Sequence, residues 1–298
     1  MRPVGTFLLL FVAVMLGGAL VAPCLYWGAQ TFADQGPWFS ELARQPFHRF
    51  VHRAMLALGL PAVWLLARQL GVNSWAQIGI RRCPGSGRQF AHGALLGFVL
   101  LAAVTLLALA FDARHWNGDL SPALLGQTIV TAALSALAVG TLEEILFRGA
   151  LFGGLRRGHP WPIALLASSA FYALVHFFKR VQWTQEITWS SGLQVLGQML
   201  KGFADPQALL PGFFVLMLAG LILGLGYQKT NALWFSIGAH STWIFWLKVY
   251  GALTVEQSAA RAPLWKSFDG WIAALVLVIA AVLLWEPKRL RPSHVGLS

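Results

Sequence analysis

No charged residue interrupts the chain from Pro3 to Ala33, or again from Leu120 to Leu142. Runs of that length decide the class of fold, because about 20 apolar residues in a helix cross the hydrocarbon core of a bilayer. Pro3 to Ala33 is also too long for a signal-peptide core of roughly 7–15 residues, so it reads as a retained first span. A lipoprotein cleavage site at Cys24 is disfavoured because Pro23 stands where a small residue is needed. Soluble domains carry about 25% charged residues, whereas this chain of 298 residues carries 11%. The fold class is therefore all-α, a polytopic membrane helix bundle of about eight transmembrane helices.

The spans are expected at Val4 to Gly28, Ala54 to Ala67, Phe90 to Phe111, Pro122 to Leu155, Trp161 to Phe178, Pro211 to Tyr227, Ala232 to Tyr250 and Gly270 to Trp285. The fourth opens with Ser121 and Pro122, an N-cap and first-turn pair, and stops at Arg156, Arg157, Gly158 and Pro160. Two stretches are too polar to cross. Gly71 to Arg88, with Trp75, Ile78 and Ile80, is expected to lie on an anionic leaflet, and Val181 to Leu210 is expected to place Trp183 and Trp189 among headgroups. Gly93 with Gly97 and Gly220 with Gly224 form two G-x-x-x-G pairs, the pattern of close helix packing. The chain reads as a single membrane domain, 1–298: N-terminal spans and an interfacial segment over 1–120, a core over 122–250, and a last span with a basic tail over 251–298.

A net charge of +11 would suggest a nucleic-acid partner in a soluble protein. Here the Lys and Arg residues flank apolar runs, so membrane lipids are the expected contacts and no nucleic acid is. With both termini inside, Lys and Arg divide almost evenly between the two sides. The densest clusters, Arg81 to Arg88, Arg156 with Arg157, and Lys288 to Arg291, fall on the inner side. The orientation expected is termini in the cytoplasm, as a multi-pass protein of a bacterial inner membrane. Cys24 and Cys83 lack C-x-x-C spacing, so neither a disulfide framework nor a thiolate metal site is indicated.

The fourth span carries Glu143, Glu144 and Arg148 far from its start. A charge near a span's centre costs on the order of 2.5–3.5 kcal/mol, so such residues mark function and have partners. Glu144 and Arg148 stand at i and i+4 and share a face. Glu143 is turned by about 100° and is left available. His176 and His240 are the further polar groups that matter within apolar spans, His92, His115 and His159 standing at span ends; counted from the turn near Gly158, Glu143 and His176 lie at similar depth. His240 is expected opposite Gly220, whose missing side chain leaves room. One glutamate with two histidines can activate water, either with the carboxylate as general base or through a divalent metal. The competing structural reading is an ion network without catalysis.

These motifs, in this order, resemble a known family. Glu143-Glu144-x-x-x-Arg148, Phe171-Tyr172-x-x-x-His176, Gly220 to Gly224, and Leu233 to His240 are similar to the successive motifs of the CPBP intramembrane proteases. That family contains the CAAX prenyl endopeptidases and the bacteriocin-processing or self-immunity proteins of Abi type. The resemblance covers Pro122 to Lys248. It implies an intramembrane endopeptidase acting on a membrane-embedded or lipid-anchored protein or peptide. Glu143 would polarise the attacking water, His176 would assist, and His240 would stabilise the oxyanion or bind metal, with Glu144 and Arg148 as the supporting pair. In a metal-dependent version Glu143, His176 and His240 would hold zinc or another divalent ion; in a glutamate-dependent version there is no cofactor. Two positions depart from the pattern. Tyr172 replaces a Phe, and Ile244 stands where the family has Asn four residues after the histidine. The loss of that amide keeps open a catalytically weak homologue that acts as a membrane immunity or assembly partner. Buried Glu, Arg and His also suit a proton-coupled transporter, but the two halves show no inverted repeat of broken helices.

Overall fold

A computed structural model describes residues 3–69, 71–81, 84–178, 181–204, 206–257 and 270–284. The basic tail from Lys288 to Arg291, Cys83 and Trp285 lie outside the described residues. The chain forms two compact units, one of residues 1–71 with 175–209 and the other of residues 72–174 with 210–298.

The first unit holds α1 (Pro3–Thr31), α2 (Pro37–Ala43) and α3 (Phe47–Gln69). α1 and α3 pack along their length because α1 carries small residues at the contact. A Cβ on Gly18 would stand 2.8 Å from the backbone nitrogen of Met55, a separation only glycine permits. Tyr26 sets its edge against Phe47 and Phe50, at centroid distances of 5.7 and 5.4 Å.

The second unit is built around one helix. It contains α4 (Ser86–Ala110), β1 (Arg114–Trp116), α5 (Pro122–Glu144), α6 (Gly153–Gly158) and α7 (Trp161–Val175, whose last residue falls in the first unit). The short α8 (Ser191–Met199) belongs to the first unit and packs against α1, with Gly192 seated on the Ala19 carbonyl. α9 (Pro206–Thr230), α10 (Trp234–Leu253), β2 (Thr254–Glu256) and α11 (Trp271–Leu284) complete the second unit. α10 packs against both α4 and α5. A Cβ on Gly93 would stand 2.0 Å from the Phe235 carbonyl oxygen, and one on Gly238 would stand 2.2 Å from that of Phe90. The G-x-x-x-G pair of α4 is therefore a backbone contact face for α10. The second pair, Gly220 and Gly224 on α9, takes Ser169 and Leu165 of α7. Gly220 thus makes room for Ser169, not for His240 as the sequence suggested, because the glycine face of α9 packs on α7.

β1 and β2 pair antiparallel with Arg114 opposite Glu256. The Arg114 guanidinium donates to the Thr254 hydroxyl at 2.7 Å and carbonyl at 2.8 Å, closing that end of α10. Ser121 caps α5 by accepting from the Leu124 amide at 3.2 Å, with Pro122 in the first turn, as its sequence indicated.

Among the described residues, five helices are long and apolar enough to cross a membrane: Gly5–Thr31, Phe47–Gln69, Ser86–Ala110, Pro122–Gly158 and Leu209–Thr230. α7 and α11 are shorter apolar helices, and α10 is the remaining helix of the eight expected spans. Large apolar side chains line the outside, including Leu134 at 68% and Val130 at 59% exposure on α5, as on helices that face lipid.

The two polar stretches fold differently from their expectation. Ile78 is buried while Trp75 is exposed. Residues 72–81 strap the end of the second unit, where Gly149 meets the Ile78 carbonyl and Gly79 accepts from the Leu233 amide at 3.0 Å. Trp183 is likewise not a headgroup residue: it joins Val181, Val195 and Met199 in the core of the first unit. Trp189 is the exposed one, at 67%. Both stretches carry enough apolar residues to bury one face, and their unit offers a surface to cover.

Candidate functional site

Glu143, Glu144, Arg148 and His240 gather where α5 changes its winding. α5 ends at Glu144, and Ile145–Phe152 continues it as a π-helix. Such widened turns interrupt α-helices most often at functional sites. Nothing in the hydrophobic period announces this one, but the polar residues that need it were visible. The widened turn still brings Arg148 back over Glu144, and Arg148 Nη1 donates to Glu144 Oε1 at 2.9 Å. Both are almost fully buried, with side-chain exposures of 3% and 0%.

The same oxygen accepts a second bond, from His240 Nδ1 of α10 at 2.7 Å. α10 reaches α5 this closely because Gly140, one turn before Glu144, leaves space for Ser241. On the other edge of the imidazole, Nε2 faces the Tyr172 hydroxyl of α7 at 3.3 Å and Glu143 Oε2 at 3.7 Å. Arg148 closes the group. Its guanidinium carbon lies 4.4 Å from the centre of the Tyr172 ring, and Nη2 donates to the Gly220 carbonyl at 3.4 Å. Phe147 holds the other side of the tyrosine, edge-on at 5.0 Å.

Glu144, Arg148, His240 and Tyr172 are all buried, whereas the Glu143 side chain is 24% exposed. The two carboxylates are thereby divided in role. Glu144 is fixed by a cation and an imidazole. Glu143 lies at the less buried side of the cluster, with its Oε2 enclosed beside the second imidazole nitrogen. His176 lies in the turn after α7, is exposed, and belongs to the first unit.

The hydroxyls divide in the same way. Ser168 and Ser236 bond backbone carbonyls of Leu165 and Leu223. Ser169 Oγ, Ser241 Oγ, Trp243 Nε1 and Glu144 Oε2 are buried without a hydrogen-bond partner among the described residues. Ile244 is half-buried one turn beyond His240. It supplies no polar atom.

Within the second unit the expected metal ligands reduce to Glu143 Oε2 and His240 Nε2. Zinc takes four ligands, at least three of them from protein. Among the described residues no group of three or more His, Cys, Asp or Glu is arranged to hold a metal. The pair does not by itself make a metal site.

Residues 125–246 match a family model described as Rce1-like, type II CAAX prenyl endopeptidase Rce1-like. Over this segment the chain is similar to that family. The Rce1-like segment contains Glu143, Glu144, Arg148, Tyr172, His176 and His240, and it leaves α1 to α4 and α11 outside. With the apolar helices, it identifies an integral membrane protein. Neither the curated proteins nor the solved structures gave a match. The role of Tyr172 was not evident from its motif, where a Phe would carry no hydroxyl; that departure was itself the signal.

Proposed function

We propose that the protein is a CAAX-protease-like intramembrane endopeptidase that hydrolyses a peptide bond in a membrane-embedded or lipid-anchored protein, with Glu143 as the base that activates water. The observation that carries this reading is the division of the two carboxylates in an Rce1-like segment: Glu144 committed to Arg148 and His240, Glu143 partly exposed and 3.7 Å from His240 Nε2.

Glu143 takes a proton from water as the oxygen attacks the scissile carbonyl carbon. The tetrahedral intermediate collapses with rupture of the C–N bond, and the proton held on Glu143 passes to the leaving nitrogen. A positioned base or acid of this kind contributes about 10²–10⁴-fold to a rate. His240, held by Glu144, presents its second nitrogen beside the carboxylate. His176 assists the water, a role carried over from the family motif.

A second reading is favoured by one residue. Ile244 cannot supply the amide donor of the motif, and an oxyanion donor is worth about 2.7–4 kcal/mol, which suits a weak enzyme or a binding partner. Profiling membrane proteins for new N-termini separates the two. Products should appear with the wild type, vanish with Glu143→Gln and with His176→Ala, and increase with Ile244→Asn. Unchanged profiles, with the cellular phenotype intact in Glu143→Gln, would replace proteolysis by binding.

A further inference from the structure

We propose that Tyr172 is a positioning residue for His240: its hydroxyl donates to Nε2, which fixes the imidazole in the tautomer with the proton on Nδ1 and keeps the Nε2 lone pair beside Glu143. This deepens the hydrolytic reading and names a part that a Phe at this place would lack.

The assignment follows from counting donors. Glu144 Oε1 already accepts from Arg148, and a carboxylate oxygen has no proton to give. The bond at 2.7 Å therefore runs from His240 Nδ1–H to Glu144. We take the ring as neutral, with its one proton on Nδ1 and Nε2 as an acceptor. Of the two groups facing it, the Glu143 carboxylate at 3.7 Å is acceptor-only. The Tyr172 hydroxyl at 3.3 Å can donate.

The tyrosine is in turn held in place. It is 3% exposed, with Arg148 over its face and Phe147 at its edge. Arg148 thus touches both ends of the chain that runs from Glu144 through His240 to Tyr172. Four side chains form a closed circuit from which the imidazole cannot turn without breaking two contacts. The bond to Nε2 is long beside the usual 2.7–2.8 Å of a hydroxyl donor, so the hydroxyl can yield to an incoming group. Without it, the Nδ1 bond to Glu144 alone orients the ring, and the Nε2 lone pair is left facing the Glu143 carboxylate with no donor between them.

The test uses the full-length protein in bilayers with ¹⁵N-labelled histidine, His240 being assigned by its loss in His240→Gln. Nδ1 is expected to give a protonated, pyrrole-type signal and Nε2 an unprotonated one. Tyr172→Phe should shift the Nε2 signal, and replacing Tyr172 by fluorotyrosines of rising acidity should move it progressively at nearly constant size. A proton on Nε2, or an Nε2 signal indifferent to fluorination, overturns the proposal. In the cleavage assay Tyr172→Phe should lower kcat about tenfold with KM unchanged, and an unchanged kcat would show that the contact does not serve the reaction. Failure of the hydrolytic reading is seen separately, as cleavage that persists in Glu143→Gln, and leaves the spectral result to stand or fall alone.

Discussion

At the scale of single residues, the account turns on a shared oxygen. Glu144 Oε1 accepts from both Arg148 and His240, so removing the carboxylate strands a buried guanidinium. Breaking a buried pair from one side costs about 3–5 kcal/mol, whereas replacing both partners by apolar groups of similar size can be nearly neutral. Glu144→Gln should therefore destabilise the protein by about that amount, and Glu144→Leu combined with Arg148→Met should recover much of it. Reversible unfolding in mixed micelles measures both. If the double variant is as unstable as the single one, the pair is not where the energy lies. This pairing could be read in the sequence because i and i+4 meet on any helix. The partnership with His240 could be expected only as a cluster, since three helices must converge to make it. Tyr172 was legible as a departure from a motif but not as a ligand of the imidazole, because a hydroxyl's direction depends on packing that no local pattern encodes.

At the scale of elements, the order of helices followed from apolar runs and their caps. The start of α5 at Ser121 and Pro122 was visible because capping is local chemistry. The π-helical turn after Glu144 was not, since apolar residues continue through it without a change of period. The strap of residues 72–81 was expected on the bilayer surface, and the contacts of Ile78 and Gly79 with Gly149 and Leu233 were not visible in the sequence: its composition is amphipathic, and composition does not say which part of the protein the apolar face covers. The glycine pair of α4 was correctly read as a packing face, and it yields a contrast. Gly238→Ala puts a methyl group 2.2 Å from the Phe90 carbonyl oxygen and should cost about 1–3 kcal/mol, the range for overpacking. Gly126→Ala on α5 meets nothing within 4 Å and should stabilise by about 0.5–1 kcal/mol through helix propensity. Thermal unfolding of the two variants compares them directly. Equal effects would contradict close packing of α4 against α10.

At the scale of the molecule, charge is unevenly placed in the second unit. One end carries Arg81, Arg156, Arg157 and Lys229 around the turn between α9 and α10, where Arg156 donates to Gln228 at 2.8 Å and Asn231 at 3.1 Å and Arg81 to the Thr230 carbonyl at 3.5 Å. The other end carries Arg114 with Asp112, Asp119 and Glu256. Basic loops stay on the cytoplasmic side, so the first end is proposed to face the cytoplasm. Gly158→Cys should react with a membrane-impermeant maleimide only after lysis, and Gly118→Cys should react in intact cells. The reverse pattern would invert the orientation.

The central claim is that Glu143 delivers water to a peptide bond in the membrane. Wild type and Glu143→Gln, each purified and reconstituted with membrane proteins from cells lacking the protein, can be incubated in ¹⁸O-water and the new C-termini weighed. The account predicts new C-termini carrying a single heavy oxygen with the wild type and none with Glu143→Gln. Equal cleavage by both proteins, or no cleavage by the wild type, would contradict it.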